Sequence, residues 1–319
     1  MDAKRSVLFG YQGSFELDRE QEKSFEDTYP ACAFSFGRPD SFSEEALANA
    51  EIMIGMFNKP QMEKAKRLKW LQACTVGTDR YAGLVDLEKT IVTNSRDLFN
   101  KCMGEHAFAM MIAWSRSITL QRDSQLKREW KGHAVSIDLF ESTLGIVGLG
   151  GIGADVAQKA KAFGMKVIAI RRNLNNKPDY VDELYPLSQL DVLLSQSDVL
   201  LLAIPLIGET YHLIGKAQLE KMKPTAYLLN VARGKVVDTD ALIEALQNKT
   251  IAGAGLDTTS PEPLNSDSPL WTMPNVLITP HVANRSPSTN RFRYEFYFEN
   301  MRRYLAGEEL LNRVADLTV

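Results

Sequence analysis

Residues 144–153 read LGIVGLGGIG, and no other stretch of the chain narrows its possible folds as far. An apolar run, Leu144, Ile146 and Val147, leads straight into Gly148-x-Gly150-x-x-Gly153. Ile152, Val156, Ala157, Ala160 and Phe163 then recur at helical spacing up to Gly164, and a second strand-like run occupies 166–170. Strand, glycine turn, helix and strand form the context in which three glycines become a dinucleotide-binding fingerprint. The first glycine permits a tight turn, the second lets backbone approach a pyrophosphate, and the third lets helix and strand pack closely. The helix N-terminus adds free N–H donors and a partial positive charge. A glycine turn without a ligand is the plain reading of such a pattern, and the flanking elements weigh against it. Gly148, Gly150, Gly151, Ile152 and Gly153 are therefore the candidate cofactor contacts.

The rest of the chain fits around this unit. A length of 319 residues is enough for about two domains. Formal net charge is -3, so no global attraction to nucleic acid or an anionic membrane is expected. No apolar run approaches the roughly 18 residues of a membrane span, and the segment MDAKRSVLFG lacks a signal-type apolar core. Cys32, Cys74 and Cys102 lie far apart, which gives neither a disulfide framework nor a zinc site; a reducing cytoplasm is the expected compartment and no metal is expected. Strands are predicted at 7–9, 31–36, 52–56, 69–73 and 91–93, a small α/β unit without a phosphate-binding turn of its own. One long amphipathic helix is predicted over 104–120, bridging two domains, followed by a charged arm at 121–133 that carries Trp130. The arm reads equally as a self-association element or a solvated loop. Beyond 144, further strands at 199–203, 226–230, 251–256 and 276–279 alternate with helices, which means a parallel, doubly wound sheet. An aromatic-rich helix over 286–305 is expected to return to the first domain, making that domain discontinuous.

In open parallel sheets ligands sit beyond the carboxyl ends of the strands. Arg233 follows the fourth strand of the large sheet, Glu262 the fifth and His281 the sixth. Hydride transfer to a carbonyl needs such a set. The oxygen must gain a proton as hydride reaches carbon, and histidine titrates near the working pH. A carboxylate on the other ring nitrogen orients the imidazole and favours its protonated form. An arginine fork holds a substrate carboxylate and so fixes the adjacent carbonyl. Singly, each residue also reads as a loop charge or a turn cap; together, at three strand ends, they read as a reaction site.

Residues 70–285 resemble the D-isomer-specific 2-hydroxyacid dehydrogenase family, most closely its glyoxylate/hydroxypyruvate reductase-like members. The segments that carry the likeness are LQACTVGTD (71–79), GEHAFAMMIAWSR (104–116), LGIVGLGGIG (144–153), IPLIGETYHLIG (204–215), LLNVARGKVVD (228–238), GAGLDTTSPEPL (253–264) and PNVLITPHVAN (274–284). The resemblance implies a Rossmann-type doubly wound domain, 104–285, inserted in a smaller flavodoxin-like α/β domain, 1–103 plus 286–319. It implies that Arg233 binds the substrate carboxylate, that His281 is the proton donor in reduction and that Glu262 is its partner. It further implies that backbone N–H groups near Val76 and Gly77 hold the carboxylate, and that Pro205, Thr210, Val231 and Asp257 line the cofactor. Domains that close on one another and a homodimer built largely from 104–140 belong to the same expectation. So does the lack of an appended regulatory domain after the last helix.

Two departures stand out. Where NAD-using relatives carry an acidic residue for the ribose 2′-OH, this chain reads Ile170-Arg171-Arg172-Asn173, with no carboxylate before Asp179. An arginine pair suits a 2′-phosphate, so NADP(H) is the expected preference, with NAD(H) possible; two solvated arginines are the alternative. Before Glu262 the chain reads Thr258-Thr259-Ser260-Pro261, where relatives carry a bulkier, more acidic stretch, and Pro261 is positioned to tilt the loop. The leading reading is a reductase of a small 2-ketoacid, with formate or phosphite dehydrogenases sharing only the cofactor domain. The alternative is a dinucleotide-sensing protein like the corepressors of this fold. Met56 and Phe57 either line the substrate pocket or belong to the core.

Overall fold

The computed structural model describes residues 4–11 and 15–317, so Met1–Ala3 of the N-terminal segment and the last two residues fall outside it. The chain divides into two compact units, Met1–Phe99 with Arg285–Val319, and Asn100–Asn284. The sequence reading had put the junctions at 103/104 and 285/286.

The small unit is built on five parallel strands: β1 (Arg5–Gly10), β2 (Cys32–Gly37), β3 (Ile52–Gly55), β4 (Trp70–Ala73) and β5 (Ile91–Thr93), in the spatial order β2-β1-β3-β4-β5. The inner strands β3 and β4 are short and buried on both faces, as a parallel strand covered by helices must be, while edge strand β2 leaves Ala33 and Ser35 exposed. One face buries Val7, Phe9, Ile52, Ile54 and Trp70 under helices Arg19–Thr28 and Thr289–Ala306, with Phe25, Tyr297 and Met301 completing the core. The other buries Leu8, Met53, Phe57 and Leu71, which places Phe57 in the core at 1% exposure. The Thr289–Ala306 helix is locked in by polar contacts as well as by packing. Asn300 Nδ2 donates to Gln72 Oε1 at 3.0 Å, Thr93 Oγ1 donates to the same oxygen at 2.7 Å, and the Tyr304 ring stacks on Trp70 at 5.1 Å.

The large unit holds seven parallel strands: β6 (Thr143–Val147), β7 (Lys166–Ile170), β8 (Glu183–Tyr185), β9 (Val199–Leu202), β10 (Tyr227–Asn230), β11 (Gly253–Leu256) and β12 (Val276–Ile278). Their order is β12-β11-β10-β9-β6-β7-β8, which reverses direction between β6 and β9. The central strands VLLL and YLLN are wholly buried, and helices cover both faces. The architecture is α/β with a Rossmann-type domain, as expected. Strand β8 escaped the sequence reading because ELY has no apolar run and only half-buried positions at a sheet edge.

The predicted helix over 104–120 is two helices, Asn100–Ser115 and Ile118–Leu126. Ser117, at φ 53°, ψ 35°, breaks them, because a left-handed residue cannot continue the i to i−4 ladder. The second helix takes up half of the stretch read as an arm; beyond it Trp130 stands free of its own chain. Among the described residues no helix is long and apolar enough to cross a membrane.

Candidate active site

The turn after β6 explains itself glycine by glycine. Gly148 has φ +104°, and a Cβ there would lie 2.4 Å from the Ala203 carbonyl oxygen. A Cβ on Gly153 would meet the Gly148 carbonyl oxygen at 2.3 Å, so helix and turn touch only because Gly153 lacks a side chain. Gly150 differs: a Cβ there would meet no atom within 4 Å. That open side faces the start of helix Gly151–Ala162, which has no side-chain cap. The first N–H groups of a helix have no partner within it. An uncapped helix start beside open space, at the place where strand order reverses, fits a dinucleotide pyrophosphate.

The neighbouring loops are held rigidly. Thr210, wholly buried, donates from Oγ1 to the Pro205 carbonyl at 2.7 Å and accepts from the Ile207 N–H at 2.8 Å, which closes the loop after β9. Val231 is 2% exposed and its N–H reaches the Leu202 carbonyl. After β7, Arg171 donates from Nε to the Asn173 carbonyl at 2.5 Å and from Nη2 to the Asn175 carbonyl at 2.6 Å. Arg172 is exposed and pairs with Glu209 at 3.3 Å, across to the loop that Thr210 closes.

At the ends of β10, β11 and β12 the three polar candidates occupy adjacent loops. Arg233 lies in a loop stapled by Asn230, whose Nδ2 donates to the Arg233 carbonyl and whose Oδ1 accepts from the Ala232 N–H, both at 3.0 Å. The next residue, Gly234, lies so close to the loop after β11 that a Cβ would fall 1.9 Å from the Thr259 carbonyl oxygen. Thr239 Oγ1 joins the same two loops through the Ser260 carbonyl at 3.0 Å. Arg233 donates from Nη1 to the Ala232 carbonyl at 2.9 Å, and among the described residues it makes no hydrogen bond to the other two candidates. Glu262 lies between cis peptides at Pro261 and Pro263.

His281 and Glu262 come together: Nδ1 and Oε1 are 2.5 Å apart. With the carboxylate accepting, Nδ1 carries the proton and Nε2 is left for a substrate. The pair is about two-fifths exposed, so a ligand can reach it. His281 sits at φ 51°, a left-handed conformation that costs an ordinary residue roughly 1–2 kcal/mol. Asp257 holds it there. Its carbonyl accepts the His281 N–H at 2.8 Å, Oδ1 accepts the Val282 N–H at 2.9 Å and Oδ2 accepts the Ala283 N–H at 3.1 Å. Thr279 Oγ1 donates to Asp257 Oδ1 at 2.6 Å and, its own proton used, accepts from His106 Nε2 at 2.9 Å. Asp257 is 2% exposed, so its carboxylate organises the loop on both sides of the imidazole. His106 and Thr279 were not singled out from sequence. The only signal was that both are polar residues inside apolar segments, MGEHAF and VLITPH. Among the described residues no group of three His, Cys, Asp or Glu side chains is arranged to hold a metal.

In the small unit, the turn 75–78 follows β4. Thr75 Oγ1 donates to the Gly77 carbonyl at 2.7 Å and Asn94 Nδ2 to the Val76 carbonyl at 2.8 Å, which fixes the turn. The N–H groups of Val76 and Gly77 have no backbone acceptor among the described residues, and Val76 is exposed.

Known proteins resemble this chain over most of its length. Residues 108–283 match the family model described as D-isomer specific 2-hydroxyacid dehydrogenase, NAD binding domain. A glyoxylate reductase of Thermococcus gammatolerans is 36% identical over 283 residues, which covers 83% of this chain and 82% of the relative. A glyoxylate/hydroxypyruvate reductase B of Pectobacterium carotovorum subsp. carotovorum is 36% identical over 277 residues, covering 84% and 86%. The structure of a D-isomer specific 2-hydroxyacid dehydrogenase family protein from Aeromonas salmonicida superposes with a TM-score of 0.87 at 30% identity, over 98% of this chain and 99% of that one.

Proposed function

The chain belongs to the D-isomer-specific 2-hydroxyacid dehydrogenase family and is a nicotinamide-dependent 2-ketoacid reductase; from that premise we propose that it prefers NADPH and that Arg233, Glu262 and His281 carry its reaction. The bound nicotinamide supplies hydride to the ketone carbon. The ketone oxygen takes its proton from His281 Nε2, while Glu262 holds the other ring nitrogen and so orients the ring. Arg233 binds the carboxylate and polarises the carbonyl, and the free amides of Val76 and Gly77 are the further donors to that carboxylate. Hydride at carbon and proton at oxygen give the D-2-hydroxy acid. The observation that carries the reading is the 2.5 Å contact between His281 and Glu262, on a loop that Asp257 pins.

Preference for NADPH rests on Arg171 and Arg172. Their bonds to neutral carbonyls and to an exposed glutamate are ones a phosphate replaces with stronger, charge-assisted contacts. The test is oxidation of NADPH and NADH with glyoxylate, hydroxypyruvate, pyruvate, phenylpyruvate and 2-ketoisocaproate. NADPH should be favoured, and Arg171→Asp should cut that preference by roughly 10–100-fold, the weight of one or two charged hydrogen bonds. An unchanged preference in the variant sinks the proposal.

The large unit also supports a homodimer. Ile112, Leu139, Phe140 and Phe163 line a groove of about 230 Å³, and Ile118, Leu126 and Trp130 are exposed nearby in sequence. Exposed Ile118, Leu126 and Trp130 and an apolar groove on one chain suit an isologous pair. Sedimentation should give twice the chain mass, and a monomer that survives high concentration refutes it. Cys32 and Cys74 are buried free thiols, which supports a reducing cytoplasm.

A further inference from the structure

The small unit contains a cation that its own helix does not neutralise. Arg293, on Thr289–Ala306, is 4% exposed. Its Nε and Nη1 have no hydrogen-bond partner among the described residues; Nη2 reaches the Cys74 carbonyl at 3.5 Å, and the neutral Tyr297 phenol lies close to the guanidinium. The ion pairs along the helix join Arg291, Arg302 and Arg303 to Glu295, Glu299 and Glu308, and leave Arg293 out. Its guanidinium stands 5.5 Å from the Phe15 ring centre and 5.0 Å from that of Phe99. Those contacts fall well short of replacing the hydration that burial removes. Burial pushes both the Cys74 thiol and the Tyr297 phenol up, so neither supplies an anion near neutral pH.

Two more buried atoms nearby in the chain lack partners among the described residues. They are Thr78 Oγ1, in the turn after β4, and Asn290 Oδ1, one helical turn before Arg293. Folded proteins seldom bury such groups without a use for them. Cys74 is the residue that follows β4, and the carboxyl end of a parallel strand is where ligands sit. The turn that follows offers the free amides of Val76 and Gly77.

We propose that Arg293 is a specificity-determining residue and that the substrate is a 2-ketoacid carrying a second carboxylate, which Arg293 binds. This rests on the ketoacid reading above, in which Arg233 and the turn amides already account for the carboxylate beside the ketone. A monocarboxylate leaves the buried guanidinium unpaired; a diacid pairs it. Cys74 and Val76 are two residues apart, at most about 7 Å of extended chain, so a four- or five-carbon diacid has the length to span the turn and the guanidinium.

The test uses the protein saturated with NADP⁺, which cannot reduce a ketoacid, so binding is read apart from turnover. Pyruvate, oxaloacetate and 2-oxoglutarate are titrated in turn by calorimetry. One of the two diacids should bind at least about tenfold more tightly than pyruvate. Arg293→Gln should erase that margin while pyruvate and NADP⁺ affinities stay within about twofold, and Arg293→Lys should keep most of it. Equal affinity of the unaltered protein for all three acids overturns the proposal without any variant, so poor folding of a substituted chain cannot shelter it. A loss that Arg293→Gln inflicts equally on pyruvate also overturns it, by making Arg293 a structural residue or a second ligand of the first carboxylate. If NADP⁺ binds, no ketoacid does and Arg233→Gln changes nothing, the ketoacid reading itself falls and takes this proposal with it.

Discussion

In the large unit, the crevice where strand order reverses is left open beside Gly150, and in the small unit the corresponding crevice, between β1 and β3, is filled. A Cβ on Gly10 would lie 2.8 Å from the Phe57 ring, and one on Gly55, at φ +140°, would lie 2.4 Å from the Gly10 carbonyl oxygen. Both sheets are parallel, both are doubly wound, and both place glycines at their first strand ends. The difference is what those glycines admit: a ligand in one case, a neighbouring backbone and an aromatic ring in the other. Topology marks where a site is possible, and side chains decide whether it exists. Among the described residues, the small unit's groups without partners lie instead in the turn after β4, at Val76, Gly77 and Thr78, and on the helix Thr289–Ala306, at Asn290 and Arg293.

The largest expected effect tests the chemistry of the large unit. His281→Ala should lower kcat by roughly 10²–10⁴-fold, the usual weight of a general acid, with cofactor affinity unchanged in fluorescence titration. A fall of less than about tenfold would move the proton donor elsewhere. Next come two glycines that pull in opposite directions. Gly150→Val should weaken cofactor binding by at least about tenfold by filling the open side, yet leave Tm within a few degrees. Gly10→Ala should destabilise the protein by roughly 1–3 kcal/mol through the Phe57 clash, with cofactor affinity intact. If the two exchange behaviour, the contrast between the crevices is wrong.

The smallest effect lies on the surface of the small unit. Hydrogen bonds from Arg302 and Arg303 hold the Glu299 carboxyl down at about 2. A depressed carboxyl adds stability above its unfolded pKa of about 4.3, and loses it as pH falls toward 2. Glu299→Gln should therefore melt slightly below the parent at neutral pH, by about a degree given its exposure, and match it near pH 2. A gap that widens in acid would contradict this sign.

How much of this was legible in the sequence differs between the units. The parallel, doubly wound character of the large sheet followed from its glycine turn and apolar strands, because each local pattern agreed with the next. Strand β8 did not, since an edge strand of sequence ELY owes its form to pairing with β7 and not to its own residues. The helix break at Ser117 was hidden for a related reason: the apolar spacing runs through a left-handed residue that only the folded backbone reveals. Glu262 and His281 could be placed from strand ends and chemistry. The group behind them, Asp257, Thr279 and His106, joins three distant segments, and no spacing rule links positions 106 and 279. Arg293 was missed because its helix was read for its aromatic face, while what distinguishes it is a buried guanidinium whose Nε and Nη1 have no partner among the described residues.

The helix Thr289–Ala306 completes the core of a unit whose five strands end at Thr93. During synthesis those strands emerge first and wait for about two hundred residues before Tyr297 and Met301 can cover them. At 5–20 residues per second that is roughly 10–40 s. The contiguous segment Asn100–Asn284 can condense within the same interval. The birth order of the two units is thus the reverse of their order along the chain. Until that helix is made, the core on one face of β1–β5 lacks Tyr297 and Met301.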